Sequence, residues 1–140
     1  MNSNVKIFLS LLSRKYLIMG LFLLNFSFLS SAQDFMAPIA QALKEGNSKV
    51  LAQYFDNELD LTFSDKTNSY SRKQAQIILE RFFSKEGPRN YVRMQASHSG
   101  SNNTRFSIGK LYTSGGEYRV YMFFVYKSRQ YYLKELRFEK

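Results

Sequence analysis

The sequence predicts an α+β domain, with N-terminal helices packed on a curved antiparallel sheet that ends in a four-strand meander. Apolar residues recur at helical spacing in much of the first half and alternate with polar residues through most of the second half. The strand expected at Glu117–Lys127 is apolar on both faces at its middle. Such a strand needs helices over one face and a loop, a ligand or a second subunit over the other.

Residues 1–32 are predicted to be a signal peptide. Three basic residues precede the apolar run Leu17–Leu29, and the small residues Ser30–Ala32 follow it. The run is shorter than the ~20 apolar residues that a membrane span needs, and no Cys follows it to carry a lipid anchor. We therefore expect cleavage after Ala32 and export of residues 33–140 to the periplasm or the exterior, with membrane contact only before cleavage.

The charge of the chain is basic, with 20 Lys and Arg against 11 Asp and Glu among 140 residues. Residues 33–140 keep 17 basic and 11 acidic side chains, which favours acidic ligands or an anionic envelope surface. Nucleic acid is not an expected partner, because export separates the protein from it. The remaining length suits one domain with a single core, and the chain has no Cys to reinforce that core.

Three helices are expected before the meander. The first runs from an Asp34 cap to Gly46, and the second from Asn47 or Ser48 to Asp56-Asn57, carrying Tyr54 and Phe55. The third begins at a capping box, Ser71–Gln74, and stops at Gly87-Pro88. Its apolar stripe, wide enough to lie across a sheet, is formed by Ala75, Ile78, Leu79, Phe82 and Phe83.

The strands follow from period-2 alternation. A half-buried strand is expected at Leu59–Phe63, and the polar stretch Ser64–Ser69 is expected to be a turn. The alternation slips in the last strand, which predicts a bulge near Lys134-Glu135. Gly109 in mid-strand predicts a bend or a close backbone approach. The meander strands are expected at Tyr91–His98, Arg105–Thr113, Glu117–Lys127 and Tyr131–Phe138.

Two groups of segments resemble known domains. Ile39–Asn47 and Leu51–Asp56 are similar to the opening of nuclear transport factor 2-like domains. Later segments resemble a small secreted bacterial branch, domain of unknown function 4783; they are 70–75, 116–121 and 135–138. The resemblance covers residues 33–140 and implies a cone-shaped α+β fold. Proteins of that fold include isomerases, dehydratases and non-catalytic binding or dimerisation modules. No catalytic motif matches residue by residue, so neither a catalytic residue nor a cofactor is carried over.

Seven residues are candidates for a ligand site or an interface. Aromatic walls with a few polar groups line ligand clefts, and Tyr and Arg are favoured at protein interfaces. The face carrying Tyr121, Phe123 and Val125 predicts a homodimer through the sheet. An ordinary solvated sheet face is the alternative interpretation of this pattern. The seven candidates are Tyr54, Tyr70, Arg119, Tyr121, Phe123, Glu135 and Arg137.

Two other polar features are interpreted as structural. His98 is the single histidine and is expected to be an exposed residue at the end of a strand. Asp56, Glu58 and Asp60 share one face of a strand but lack the loop and glycine of a calcium-binding motif. A solvated strand face is therefore predicted for these three carboxylates, and no metal site is expected.

These observations predict an exported, non-catalytic binding module that recognises a small ligand or a protein partner through the cone or the outer sheet face. The alternative is an isomerase- or hydratase-like enzyme with an acid or base in the cone. An ionisable side chain deep in a solvent-reachable cavity, with a second hydrogen-bonding group about 3 Å away, would favour the enzyme.

Overall fold

The computed structural model describes residues 3–7, 10, 34–98 and 103–140, and of His98 only the backbone. Residues 3–7 are helical and belong to a unit separate from 34–140. The predicted cleavage site after Ala32 lies outside the described residues. None of the described helices is long and apolar enough to cross a membrane.

The described residues of the unit 34–140 form three helices and six strands. The helices are α1 Met36–Glu45, α2 Ser48–Ala52 and α3 Arg72–Glu86. The strands are β1 Phe55–Phe63, β2 Lys66–Ser71, β3 Pro88–His98, β4 Thr104–Thr113, β5 Gly116–Lys127 and β6 Gln130–Glu139.

The six strands form one open sheet in the order β2-β1-β6-β5-β4-β3. The predicted α+β class and the four-strand antiparallel meander β3 to β6 are confirmed. However, β1 pairs with β6 in parallel, so the prediction of a wholly antiparallel sheet is wrong at this pair. A hairpin, α3 and most of the meander separate the two strands. Alternation along a strand does not indicate the direction of so distant a partner.

The second helix is shorter than predicted, because the chain enters the sheet earlier. The amides of Gln53 and Tyr54 bond to the carbonyls of Val50 and Leu51, which tightens the last turn. The Tyr54 carbonyl then accepts from the Leu133 amide at 2.6 Å. Phe55 is consequently the first residue of β1 and pairs with Leu133 instead of extending the helix.

The stretch predicted as a turn contains an edge strand, β2. Ser64, with φ of 57°, and Asp65 form a tight turn, and the chain then pairs antiparallel with β1 as far as Ser71. All but one of the β2 residues are exposed, so both faces are polar and the alternation that signals a strand is absent.

The predicted bulge in β6 is confirmed. Phe123 pairs with Glu135 while Phe124 pairs with Leu133, which leaves Lys134 without a partner in β5. The extra residue brings Leu133 and Leu136 to the same face, where both are fully buried.

The prediction for Gly109 is also confirmed. A β-carbon at Gly109 would lie 2.3 Å from the hydroxyl oxygen of Tyr91, so the Tyr91 ring occupies the space that a side chain would need. Beside it, the β3–β4 register shifts between Arg93 and Gln95, which leaves Met94 unpaired. This bulge bends β3 at the place where the glycine allows the close approach.

The helices cover one side of the sheet and bury the core. α1 packs against β3 and β4, and α3 packs against β1 and β2. The predicted capping box opens α3, since the Gln74 amide donates to the Ser71 hydroxyl and the Gln74 side chain accepts from the Ser71 amide. The rings of Phe82 and Phe83 lie 4.7 and 6.3 Å from that of Phe138. Phe and Leu side chains therefore fill most of the helix side.

Candidate functional site

Five of the seven candidate residues lie together on the face of the sheet opposite the helices, here called the outer face. In β5 they alternate with buried core residues, and the register places Tyr121 opposite Arg137 and Phe123 opposite Glu135. Arg119, two residues before Tyr121, shares this face. The strands β5 and β6 thus bring these five residues into one surface.

An apolar patch occupies the middle of the outer face. Phe106 and Ile108 of β4 lie opposite Phe123 and Tyr121, and the rings of Phe106 and Tyr121 stack with their centroids 6.3 Å apart. All of these side chains are half-buried rather than covered. The outer patch is defined as Phe106, Ile108, Tyr121, Phe123 and Val125.

Charged side chains surround the outer patch. Arg137 forms an ion pair with Glu135, and its guanidinium lies 5.4 Å from the centre of the Tyr121 ring. Lys110 Nζ lies 2.9 Å from Glu117 Oε2. The hydrogen bond and the charge of Glu117 raise the pKa of Lys110. An apolar centre with a charged rim is the usual layout of a protein interface.

The other two candidates lie elsewhere. Tyr54 follows α2, packs against the core and borders a depression beside Phe35 and Tyr131. Tyr70 is on β2 and borders an open apolar groove with Ile77 and Ile78 of α3. The structure therefore does not unite the seven residues in one site.

Asp56 is buried, which corrects the prediction that it lies on a solvated strand face. Its carboxylate accepts hydrogen bonds from the Lys127 ammonium and the Asn57 amide. Burial by itself raises the pKa of Asp56. The Lys127 hydrogen bond, the Asn57 amide and the charges of Lys127 and Lys134 outweigh burial, so the pKa lies below its ordinary value of 3.8. Asp56 fastens the start of β1 to the end of β5.

The remaining polar features show no metal cluster. Glu58 is exposed, and Asp60 accepts a hydrogen bond from Ser69. In the part of the chain that the structure describes, no three His, Asp or Glu side chains are arranged to hold a metal ion. The His98 side chain lies outside the described residues, so its exposure stays a prediction.

A cavity of about 190 Å³ opens between the start of α1 and the strands β3 and β4. It lies at the end of the helix side that the Phe and Leu core does not fill, and it is here called the α1 cavity. The residues that line it are Asp34, Phe35, Met36, Arg93, Ala96, Ser97, Arg105, Phe106, Ser107 and Phe124.

Charged residues lie on the solvent side of the α1 cavity. Arg93 Nη1 is 2.8 Å from Asp34 Oδ2, and both side chains are nearly half exposed. The other oxygen of Asp34 accepts from the Met36 amide, but the N-cap position of α1 is Phe35, one residue later than the predicted Asp34 cap. The Arg105 guanidinium lies 4.5 Å from the centre of the Tyr131 ring and takes part in none of the ion pairs formed among the described residues.

Buried residues form the deep end of the α1 cavity. Phe124 is fully buried, and Met36 and Ser107 are nearly so. The Ser107 and Tyr91 hydroxyl oxygens are buried without a hydrogen-bond partner of ordinary geometry. Burial raises the pKa of Tyr91 to about 12, against a smaller lowering by the nearby Ser107 hydroxyl and the Arg93 charge. The deep end is therefore apolar, and of these two hydroxyls only that of Ser107 belongs to a lining residue.

Sequence reasoning missed this cavity because its lining comes from four separate elements, the start of α1 and the strands β3, β4 and β5. A signal was nevertheless present in β4, where the two successive inward positions, Ser107 and Gly109, carry no bulky side chain. The Tyr91 ring fills the space over Gly109. Ala96 is the partner of Ser107 in β3 and is also small, so space remains beside Ser107.

Residues 36–139 match the family described as Domain of unknown function (DUF4783). Solved structures of this family include one from Bacteroides ovatus, 25% identical with a TM-score of 0.71, which covers 74% of this chain and 93% of that chain. Another, from Bacteroides fragilis, is 27% identical with a TM-score of 0.69 and covers 74% of this chain and 96% of that chain.

An NTF2-like protein of unknown function from Cytophaga hutchinsonii is 12% identical with a TM-score of 0.52, covering 72% of this chain and 81% of that one. This likeness supports the fold alone. No curated protein is similar enough to count as a relative. The match over 36–139 and the shared fold confirm the predicted resemblance, and the chain belongs to the DUF4783 family, with an NTF2-like fold.

Proposed function

We propose that residues 33–140 form an exported, non-catalytic binding module, whose α1 cavity holds a small ligand and whose outer patch binds a second copy of the chain. The observation that carries the ligand site is the Ser107 hydroxyl, which is buried in the cavity lining without a hydrogen-bond partner of ordinary geometry. Buried polar groups without partners are rare in folded proteins, because each costs about 1–3 kcal/mol. A ligand that bonds to the hydroxyl would remove this cost.

Native mass spectrometry of the exported protein tests the ligand site. Ala96→Trp would obstruct the α1 cavity, because Ala96 lines it and is exposed, whereas Ala37→Trp adds the same ring on exposed α1 surface that does not line it. We expect an added small-molecule mass on the wild type and on Ala37→Trp, and none on Ala96→Trp. An added mass that persists on Ala96→Trp, or a wild type without any ligand, would contradict the proposal.

The homodimer is supported by the outer patch. Its side chains form a contiguous apolar centre that none of the described helices or strands of residues 34–98 and 103–140 covers, and charged pairs surround it. A two-fold dimer places the same surface on both partners, so one apolar centre can cover the other. Light scattering of the mature protein at tens of micromolar should give twice the monomer mass, and a strict monomer would remove this part of the proposal.

Export is supported by the basic, apolar and small-residue segments of residues 1–32. Expression in a Gram-negative host should place the protein in the periplasm or the medium, with Gln33 as its first residue. Full-length protein that stays in the cytoplasm would contradict export.

An isomerase- or hydratase-like enzyme remains the second candidate, because Tyr91 is a buried ionisable group next to the Ser107 hydroxyl. With a pKa of about 12, Tyr91 is protonated at neutral pH and could act as an acid. Asp34 is the carboxylate among the described lining residues, and it is paired with Arg93 near solvent. Exchange of the α-protons of 4-oxopentanoate with D₂O, faster with wild type than with Tyr91→Phe, would favour the enzyme. No exchange above buffer would favour the binding module.

A further inference from the structure

We infer that the α1 cavity binds a small monocarboxylate whose apolar body carries a hydroxyl or keto oxygen at the end opposite the carboxylate. This inference rests on the proposed ligand-binding function and adds the chemical class and orientation of the ligand. The two ends of the cavity differ in chemistry, and each end selects one end of the ligand.

The solvent end selects an anion. It carries two guanidinium groups, Arg93 and Arg105, and one carboxylate, Asp34, so one positive charge is left unbalanced. Asp34 is engaged with Arg93 at 2.8 Å, which leaves Arg105 as the cation without a carboxylate among the described residues. Arg105 is positioned by the rings of Tyr131 and Phe35, at 4.5 and 5.5 Å. A carboxylate at this end would therefore meet a charged donor that is already in place.

The deep end selects a neutral oxygen. Ser107 lines the cavity, and its hydroxyl can accept from Tyr91, which is not a lining residue, and still have its own proton to donate. A ligand hydroxyl or keto oxygen would accept that proton. A carboxylate is disfavoured here, because a charge buried beside Phe124 and Met36 would have no cationic partner.

The size of the cavity limits the ligand. Its volume is about 190 Å³, and an apolar cavity of roughly 150 Å³ in another protein holds benzene. One six-membered ring, or an open chain of similar volume, is therefore the expected body. Phe35, Met36 and Phe124 supply the apolar wall against which this body packs.

Amide chemical-shift titrations of the mature ¹⁵N-labelled protein with three probes test the inference. The probes are 4-hydroxybenzoate, benzoate and 4-hydroxybenzyl alcohol, which share the ring and differ in the group at one end. We expect shifts around the α1 cavity, with affinity weaker for benzoate by roughly five-fold, the worth of one neutral hydrogen bond. We expect affinity weaker for the alcohol by roughly ten-fold, the worth of a charged hydrogen bond.

Three variants assign the two ends. Ser107→Ala should lower the affinity for 4-hydroxybenzoate to that for benzoate and leave the affinity for benzoate unchanged. Arg105→Gln should lower the affinity for both carboxylates by roughly ten-fold and leave the affinity for the alcohol unchanged. Arg81→Gln removes the same charge from the exposed surface of α3, away from the cavity and the outer face, and should change nothing. The Ser107 variant should fold, because the hydroxyl that it removes makes no hydrogen bond of ordinary geometry.

The outcomes separate the ligand class from the existence of a site. Equal affinity for all three probes at the α1 cavity would overturn the inferred class and leave the ligand site standing. If Ser107→Ala lowered the affinity for both carboxylates equally, the inferred orientation of the ligand in the cavity would be overturned. Absence of shifts at the cavity with every probe would overturn the ligand class. The ligand site itself would be overturned only if native mass spectrometry also showed the wild type without any bound ligand.

Discussion

The two sides of the sheet use the same strands but cover their apolar side chains to different extents. In β5, Val120, Met122 and Phe124 are fully buried under the helices. Tyr121 and Phe123, which alternate with them, remain half-buried on the outer face. One strand therefore carries the residues that hold the fold and the residues that are available to a partner. Substitutions at adjacent positions should separate stability from recognition.

The largest effect is expected on the helix side, from Phe124→Ala. The ring is fully buried and meets the ring of Phe35 edge-on at 5.3 Å. Its removal leaves a void that the packed core cannot close, so the free energy of unfolding should fall by about 3–5 kcal/mol. Urea denaturation followed by circular dichroism measures this loss. A loss below about 1 kcal/mol would show that the helix side is not the packed core described above.

A smaller loss is expected from Gly109→Ala, also on the helix side. The new methyl group would collide with the Tyr91 ring, so the free energy of unfolding should fall by about 1–3 kcal/mol. Tyr91→Val shortens the opposing side chain and is the matched partner for a double-mutant cycle. The double variant should lose less than the sum of the two single losses. Strictly additive losses would contradict the close approach.

Asp56→Asn should cost about 1–2 kcal/mol at neutral pH, because it removes the charge that pairs with Lys127. The folded-state pKa of Asp56 is lowered, so its stabilisation is present above the ordinary pKa of 3.8 and is lost as the pH falls through the folded-state value. The difference between wild type and variant should therefore shrink as the pH falls below 3.8 and vanish below the folded-state pKa of Asp56. Asp65→Asn, in the exposed turn before β2, is the control. A gap that persists at low pH would contradict the ion pair.

The local signals in the sequence were sufficient for most of the fold. The Ser71–Gln74 capping box marks the start of α3, and the slip in alternation marks the bulge at Lys134. These features depend on residues close together in the chain. The edge strand β2 was missed because its residues are polar and show no alternation. They form a strand because they pair with β1.

The sites could be predicted only in part. Part of the outer patch could be predicted, since alternation along β5 places Tyr121, Phe123 and Val125 on one face. Phe106 and Ile108 lie beside them only because of the β4–β5 register. To predict the α1 cavity, one would have to know the register shift at Met94 and the position of α1 over β3. Both are long-range features that a pattern along the chain does not contain.

The smallest change in stability is expected on the outer face, from Phe123→Lys. Phe123 is half-buried, and a lysine there would lie opposite Glu135 and form a cross-strand pair. The free energy of unfolding should therefore change by less than about 1 kcal/mol. In the middle of a dimer interface the same lysine would have to leave water among apolar side chains, a cost that its pair with Glu135 would not offset, so dimerisation should be lost.

Sedimentation velocity of the mature protein tests the contrast between the two sides most directly. Wild type, Phe123→Lys and Ile77→Lys are compared at tens of micromolar; Ile77 is an exposed apolar residue of α3, away from the sheet face. We predict dimers for wild type and Ile77→Lys, and a folded monomer for Phe123→Lys. A monomeric wild type, or a Phe123→Lys protein that still dimerises, would contradict the assignment of the outer face to a second copy of the chain.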